Sequence, residues 1–285
     1  MAVTWVNGVP CDRIAVNDRG LAYGDGLFET IAVVAGRPRL WEAHLDRLRA
    51  GCARLQLPEP PAEPLWREAC ALCRQQPTGQ GVLKLLYTRG SGGRGYAPPV
   101  EPEATRILTL HPWPDWPETH WRNGIELFLC QTRLARQPLL AGIKHLNRLE
   151  QVLARREWSD ERWAEGLVRD REGWLIEGTA SNLFGVAGEN LITPPLNDCG
   201  VAGVMRRNIM LLSDELQIPY EVTPVDPNAL RGMNEVFVSN SLAGIWPVRG
   251  LSDGTVWAAP GPVTRRLQRA LYAQGVVPGP GRDAV

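Results

Sequence analysis

Ala141-Gly-Ile-Lys-His-Leu-Asn-Arg-Leu-Glu-Gln-Val-Leu153 is the stretch on which the reading of this chain turns. Leucines at 146, 149 and 153 recur at helical spacing, which predicts a helix over about 146–158 with those leucines inward. Lys144 would then stand just before a helix, among apolar neighbours. Lost hydration there favours the neutral amine, the form that condenses with an aldehyde. The plain alternative is an exposed lysine in a first helical turn, at a small cost against the helix dipole. Lysine is scarce in this sequence: Lys and Arg together number 31, and only Lys84 and Lys144 are lysines. Arginine stays protonated, whereas a lysine can shed its proton, so any amine chemistry has two candidates. Lys84 interrupts the apolar run Gly81-Val-Leu-Lys-Leu-Leu-Tyr-Thr88 and reads as a structural or site-lining residue.

Upstream, His111-Pro-Trp-Pro-Asp-Trp-Pro117 holds three prolines in seven residues. Such a run continues neither a helix nor a central strand and favours an extended linker. It divides the chain into a small N-terminal lobe, 1–113, and a larger C-terminal lobe, 114–285, which carries Lys144. In the first lobe, apolar runs flank Asn7-Gly8 as in a hairpin, and 27–34 reads as a strand. Trp41, Leu45, Leu48, Cys52 and Leu55 form one helical face. A helix over about 63–75 and strands near 81–88 and 105–110 complete that lobe. In the second, strands are expected near 125–131, 166–170, 173–177, 182–186, 190–193 and 235–239, with helices over 204–216 and 262–274. The class is α/β (α+β), two-lobed.

Hydrophobic content of 44%, charged content of 22% and zero formal net charge describe a globular chain without the basic field that nucleic acid or anionic lipid requires. Neither a signal-peptide pattern nor an apolar run of membrane-spanning length is present, so the expectation is a cytoplasmic protein. Six cysteines are scattered. Cys70 and Cys73 share an amphipathic helix without a second pair at zinc spacing, so they read as core thiols and no metal site is expected.

Three further segments could carry chemistry. Glu177 ends an apolar strand in Trp174-Leu-Ile-Glu-Gly-Thr-Ala-Ser-Asn-Leu-Phe184. A carboxylate there needs a partner, which a protonated pyridine nitrogen would satisfy, and the small residues 178–181 would admit a flat ring. A turn glutamate in water is the simpler reading. Gly203-Val-Met-Arg-Arg207 opens a helix whose free N–H groups suit an anion. Ser239-Asn-Ser241 offers further donors. Arg47, in His44-Leu-Asp-Arg47, falls on the polar side of its helix, where most arginines are solvated.

Together these segments resemble the fold-type IV pyridoxal-phosphate enzymes, which include branched-chain and D-amino acid aminotransferases and the 4-amino-4-deoxychorismate lyases. The resemblance runs nearly end to end: Gly24-Asp-Gly-Leu-Phe-Glu29, His44-Leu-Asp-Arg47, Ile143-Lys-His-Leu-Asn147, Glu177-Gly-Thr-Ala-Ser-Asn182, Gly203-Val-Met-Arg206 and the Ser239 segment. Arg89-Gly-Ser-Gly-Gly-Arg-Gly-Tyr96 and 141–153 are similar to the lyase branch in particular. Aminotransferases of this fold usually have serine at the position of His145 and lack Arg148. The resemblance implies pyridoxal 5'-phosphate as cofactor, with Lys144 as the Schiff-base lysine and Glu177 facing the pyridine nitrogen. It implies a phosphate cup of Arg47, the amides of Val204 and Met205, and Ser241. Where the family often has threonine, Met205 offers only its backbone N–H. Arg94 and Tyr96 match a substrate-carboxylate site, apt for a small dicarboxylate substrate. The implied activity is a lyase releasing pyruvate and 4-aminobenzoate, a folate precursor. The alternative is an aminotransferase for D- or branched-chain amino acids. A homodimer is also implied.

Overall fold

The computed structural model describes residues 2–277, and every count of elements and partners refers to these. Two compact units emerge. The first comprises the chain up to Pro114 together with Ile143–Asn147; the second comprises Asp115–Gly142 and the chain from Arg148 onward.

The first unit runs β1 (Val3–Val6), β2 (Val9–Pro10), α1 (Arg19–Tyr23), β3 (Gly26–Val34), β4 (Arg37–Pro38), α2 (Trp41–Leu55), α3 (Ala62–Cys73), β5 (Gly81–Thr88) and β6 (Thr105–Pro112). These strands form a six-stranded sheet in the order β2-β1-β6-β5-β3-β4. The β1–β2 hairpin turns at Asn7 and Gly8, both at positive φ, as Asn-Gly favours. Alternation along β3 turns Leu27, Glu29, Ile31 and Val33 inward, and all four are buried. Against them α2 buries Trp41, Leu45, Leu48 and Cys52, while Leu55 at its end is half-buried. β6 extends two residues beyond the expected strand, His111 pairing with Val82 and Pro112 with Gly81. Proline is tolerated at that terminal rung.

The segment Ile143–Asn147 corrects the sequence reading. It belongs to the first unit, so Lys144 does not stand in the C-terminal lobe as sequence order suggests. The Phe28 N–H donates to the Lys144 carbonyl and the Leu146 N–H to the Gly26 carbonyl, both at 2.9 Å, with His145 bridged to Leu27. This pairing commits residues 144–146 to extended backbone. The helix therefore starts only at α5 (Leu149–Arg155), after α4 (Thr119–Arg122) and β7 (Ile125–Leu134). Its leucines do not point inward: Leu149 is 76% and Leu153 54% exposed, and the buried residue is Ala154.

The second unit continues with β8 (Trp163–Asp170), β9 (Leu175–Gly178), β10 (Asn182–Ala187), β11 (Asn190–Thr193), α6 (Val204–Glu215), β12 (Tyr220–Val222), α7 (Pro227–Arg231), β13 (Glu235–Asn240), β14 (Gly244–Leu251) and α8 (Pro262–Ala273). The sheet order is β12-β11-β10-β13-β14-β7-β8-β9, and β9 also pairs with β10. That additional pairing closes six strands into a barrel, and its rung is Asn182 opposite Glu177. β14 escapes a propensity reading because Pro247 and Gly250 interrupt it. The unit's core gathers Leu127, Leu167, Leu183, Val236, Val238 and Val248, with Trp116, Trp121 and Trp246 in mutual ring contact. No helix among the described residues is long and apolar enough to cross a membrane.

The 89–96 loop depends on one glycine. Gly90 has φ +83°, and a Cβ there would sit 1.8 Å from the Glu103 carbonyl oxygen, whereas a Cβ at Gly93 meets nothing within 4 Å. Gly90→Ala should therefore cost at least about 2 kcal/mol, against no more than about 0.5 kcal/mol for Gly93→Ala. Urea denaturation of the two variants checks this.

Candidate active site

On the first unit the site begins with Lys144, whose main chain is fixed by β3. Its Nζ lies 4.4 Å from the centroid of the Phe28 ring, and the side chain is half-buried. Beneath it, on the inward face of β3, Glu29 is 1% exposed. Arg47 from α2 grips this carboxylate with two nitrogens, Nε to Oε1 at 2.8 Å and Nη2 to Oε2. His44, one helical turn earlier, meets the same Oε2 through Nδ1 at 2.6 Å. Burial works to raise the Glu29 pKa, but the charges and hydrogen bonds of Arg47 and His44 overcome it and hold it at about 2. The His44 pKa is pushed down, first by burial, then against the pull of Glu29 by the charges of Arg47 and Lys144. His44 stands within the fields of both cations. Arg47, read from sequence as lying on a solvated face, is instead a nearly buried, oriented guanidinium.

A half-buried carboxylate shapes the neighbouring loop. Asp25 accepts from Arg19 Nε at 2.8 Å and from Arg89 Nε at 2.7 Å. Burial opposes its ionisation, and the two arginines bring its pKa below the ordinary value nonetheless. Arg19 also donates to the carbonyls of Gly95, Tyr96 and Ala97, setting the course of that loop. Arg94 and Tyr96 are exposed on it, and the Tyr96 ring lies 5.4 Å from that of Tyr23.

On the second unit the barrel-closing rung is itself the candidate site. Glu177 is 4% exposed, and its Oε2 accepts from the Val201 N–H at 2.8 Å. Asn182 donates to the Val201 carbonyl at 2.9 Å and approaches Glu177 Oε2 at 3.5 Å. Gly203 follows at the N-cap of α6, where a Cβ would come within 1.9 Å of Asn182 Oδ1. That helix start has no side-chain cap, so the leading N–H groups, those of Val204 and Met205 among them, are not taken by a capping side chain. Both side chains are buried, which leaves Met205 only its backbone to offer. Asn240 ties the turn bearing Ser241 to the 178–181 segment, donating to the Ala180 carbonyl at 3.2 Å while accepting from Leu242 and Ala243. Ser241 is half-buried, and Ser239 carries a buried hydroxyl with no partner among the described residues. Glu165 shapes 178–181 from below, accepting from Thr179, Ala180 and Ser181.

Sequence reasoning assigned no role to Glu29, His44, Arg19, Asp25, Glu165 or Asn182. The signal for Glu29 was available, since it occupies an inward position in an otherwise apolar alternation.

The family model described as Amino-transferase class IV matches residues 26–251. The chain belongs to the class IV aminotransferases. It is 36% identical over 271 residues to the aminodeoxychorismate lyase of Vibrio harveyi, covering 94% of this chain and 98% of that one. It superimposes on the 4-amino-4-deoxychorismate lyase of Pseudomonas aeruginosa with a TM-score of 0.91 at 52% identity, covering 95% of this chain and 98% of that one. It is 28% identical over 267 residues to the D-alanine aminotransferase of Bacillus licheniformis, covering 90% of each. The fold is thus the fold-type IV architecture, as the resemblance implied. Class IV aminotransferases use pyridoxal 5'-phosphate, and the residues here fit it. The first unit has an amine at Lys144 and an oriented cation at Arg47; the second has a buried carboxylate at Glu177 and uncapped N–H donors beside a cradle that a Cβ at Gly203 would fill.

Glu29 gives this site a pH signature. Its folded pKa, about 2, lies below the ordinary 4.5, so its contribution is complete above about pH 4.5 and drains away as pH falls toward 2. The effect is on the order of 3 kcal/mol. Glu29→Gln should flatten this acid limb in urea unfolding measured across pH, and lower stability at neutral pH.

Proposed function

We propose that this class IV aminotransferase-family chain is a pyridoxal-phosphate-dependent lyase that converts 4-amino-4-deoxychorismate to 4-aminobenzoate and pyruvate, in folate biosynthesis. The observation that carries the reading is the 52% identity with the Pseudomonas aeruginosa lyase along 95% of the chain. The 28% identity with D-alanine aminotransferase supports a second reading, transamination.

Bound pyridoxal phosphate supplies an electron sink for the pair left on the amine-bearing ring carbon. Lys144 holds the cofactor and then, as a neutral amine, takes the proton from that carbon at Nζ. As an ammonium it returns the proton to the departing enolate. The carbon–oxygen bond to the pyruvyl group breaks, and the ring becomes aromatic. Glu177, buried and fixed by the Val201 N–H, keeps the proton on the pyridine nitrogen. Arg47, the N–H groups of Val204 and Met205, and Ser241 hold the phosphate, with Arg47 aimed by Glu29. Arg94 and Tyr96 take the pyruvyl carboxylate.

We assign the enzyme to the cytoplasm as a homodimer acting on a small dicarboxylate, with neither nucleic acid nor membrane as partner. The exposed apolar side chains Leu149, Val152 and Leu153 on α5 support a partner surface.

Purified protein should release pyruvate from aminodeoxychorismate with no amino acceptor present. Conversion of the cofactor to its amine form by common amino acids, without pyruvate release from that substrate, would establish the transaminase instead. Borohydride reduction and peptide mapping should label Lys144; label on Lys84, or on neither lysine, overturns the assignment. Lys144→Ala should abolish both the yellow colour and turnover, and Glu177→Gln should slow turnover by roughly a hundredfold or more.

A further inference from the structure

One buried arginine braces both ends of the 89–97 loop. Arg19 opens α1 and is 4% exposed. Its main-chain N–H donates to the Gly90 carbonyl at 2.8 Å, which ties the loop to it just beyond β5. Its guanidinium ties the far end. Nη1 donates to the carbonyls of Gly95 at 3.1 Å and Ala97 at 3.3 Å, and Nη2 to that of Tyr96 at 2.9 Å. Nε is left for Asp25, at 2.8 Å, and Arg89 holds the same carboxylate oxygen at 2.7 Å. Between the two ends the loop lies on the arginine stem, for a Cβ at Gly92 would come within 2.7 Å of Arg19 Cδ.

Ring contacts extend the same brace. The Arg19 guanidinium carbon lies 4.9 Å from the centroid of the Tyr23 ring, and that ring lies 5.4 Å from the ring of Tyr96. Tyr96 is therefore held at its carbonyl and faced at its ring from one short helix, while its side chain remains 85% exposed. Arg94 is exposed as well. Four glycines in the nine residues 89–97 give this loop little order of its own. Its order comes from the carbonyls that Arg19 collects. A planar fork with five fixed donors can span three successive carbonyls and a carboxylate, whereas an ammonium offers three donors from one point.

We propose that Arg19 is a positioning residue for substrate recognition: by fixing residues 90–97 it sets Arg94 and Tyr96 where they take the pyruvyl carboxylate. The inference rests on the assignment of that carboxylate to Arg94 and Tyr96, and through it on the lyase reading. Arg19 is buried and acts on the substrate only through the loop. A binding group misplaced by about 1 Å can cost up to a hundredfold. A ligand without the pyruvyl group loses nothing when the loop slackens. Arg19 therefore governs the preference for a dicarboxylate and leaves the chemistry at Lys144 alone.

The test uses holoenzyme carrying Arg19→Gln, Arg19→Lys or Arg94→Gln. Arg19→Gln should raise KM for aminodeoxychorismate about tenfold or more and change kcat by less than about threefold, with the cofactor absorbance as in the unaltered enzyme. Arg19→Lys keeps the charge but loses the fork, and should match Arg19→Gln. Binding of 4-aminobenzoate, which lacks the pyruvyl group, should stay within about twofold by calorimetry. Trypsin should cut after Arg94 about tenfold faster or more in Arg19→Gln, because a loop that opens more often is cleaved more often. Should the Arg19 variants fail to fold, Gly92→Ala decides. It leaves every charge in place and crowds the Arg19 stem, so a raised KM supports the proposal and an unaltered KM overturns it. A raised KM in Arg94→Gln beside an unaltered KM in Arg19→Gln overturns the role of Arg19 alone. Full recovery in Arg19→Lys overturns it too, as does a loss of 4-aminobenzoate affinity equal to the rise in KM. An unaltered KM in Arg94→Gln overturns the carboxylate assignment, and coloured, unaltered enzyme that releases no pyruvate overturns the lyase reading. In either case the tryptic rate still decides whether Arg19 holds the loop.

Discussion

The extended backbone of Ile143–Asn147, held to β3 by two main-chain hydrogen bonds, is the constraint on which the rest of the site depends. A lysine on a helix or a free loop would sample many positions, and side-chain order alone would have to aim it. Here the Lys144 carbonyl is bonded to Phe28 and the chain two residues on is bonded to Gly26, so the Cα is placed by a sheet. Sheets place atoms more firmly than loops because each rung is braced by its neighbours. Only the side-chain dihedrals remain to be set, and the Phe28 ring beneath Nζ narrows those.

The acids follow one rule. A buried carboxylate must be given donors, and once given they lose their own freedom. Glu29 fixes Arg47 and His44; Asp25 fixes Arg19 and Arg89, and through Arg19 the carbonyls of 95–97; Glu165 fixes the small-residue turn after Glu177. These side chains need not touch substrate or cofactor. They convert flexible cations and a glycine-rich turn into parts with set directions, at the cost of desolvating three anions, Asp25 only in part. Glu177 in turn accepts from the Val201 N–H, with the Asn182 amide beside it, which ties the barrel-closing rung to the loop before α6.

Much of this was legible in the residues. The β5 and α2 elements follow from alternation and from 3.6-residue periodicity, and the small residues beside Glu177 stand out as a stretch able to admit a flat ring. The Ile143–Asn147 strand was not legible, because Leu146, Leu149 and Leu153 satisfy helical spacing equally well. The competing preference, pairing with Gly26 and Phe28, lies more than a hundred residues away in sequence. The same blindness applies to Arg47: helix periodicity assigns it to the solvated side and says nothing of a glutamate from another strand arriving to meet it. Asn182 and Glu177 were each visible, but that they form the rung closing a barrel follows from topology, not from either residue.

A chain that uses arginine for nearly every cation has separated two jobs. Structural cations must stay charged and hold planar partners, which a guanidinium does with several fixed donors. Arg19, Arg47 and Arg89 all do this, each spanning a carboxylate or a set of carbonyls. Lysine is kept where the requirement is different. At 144 the proposed role requires a cation that becomes neutral and returns, which arginine cannot do. At 84 a single compact charge stands on an open strand face beside Phe28 and two threonines. Both lysines lie against the Phe28 ring, Lys144 from the segment bonded to β3 and Lys84 from β5. The scarcity of lysine is therefore informative only together with the strand register: the count names two residues, and the fold brings both to the Phe28 ring.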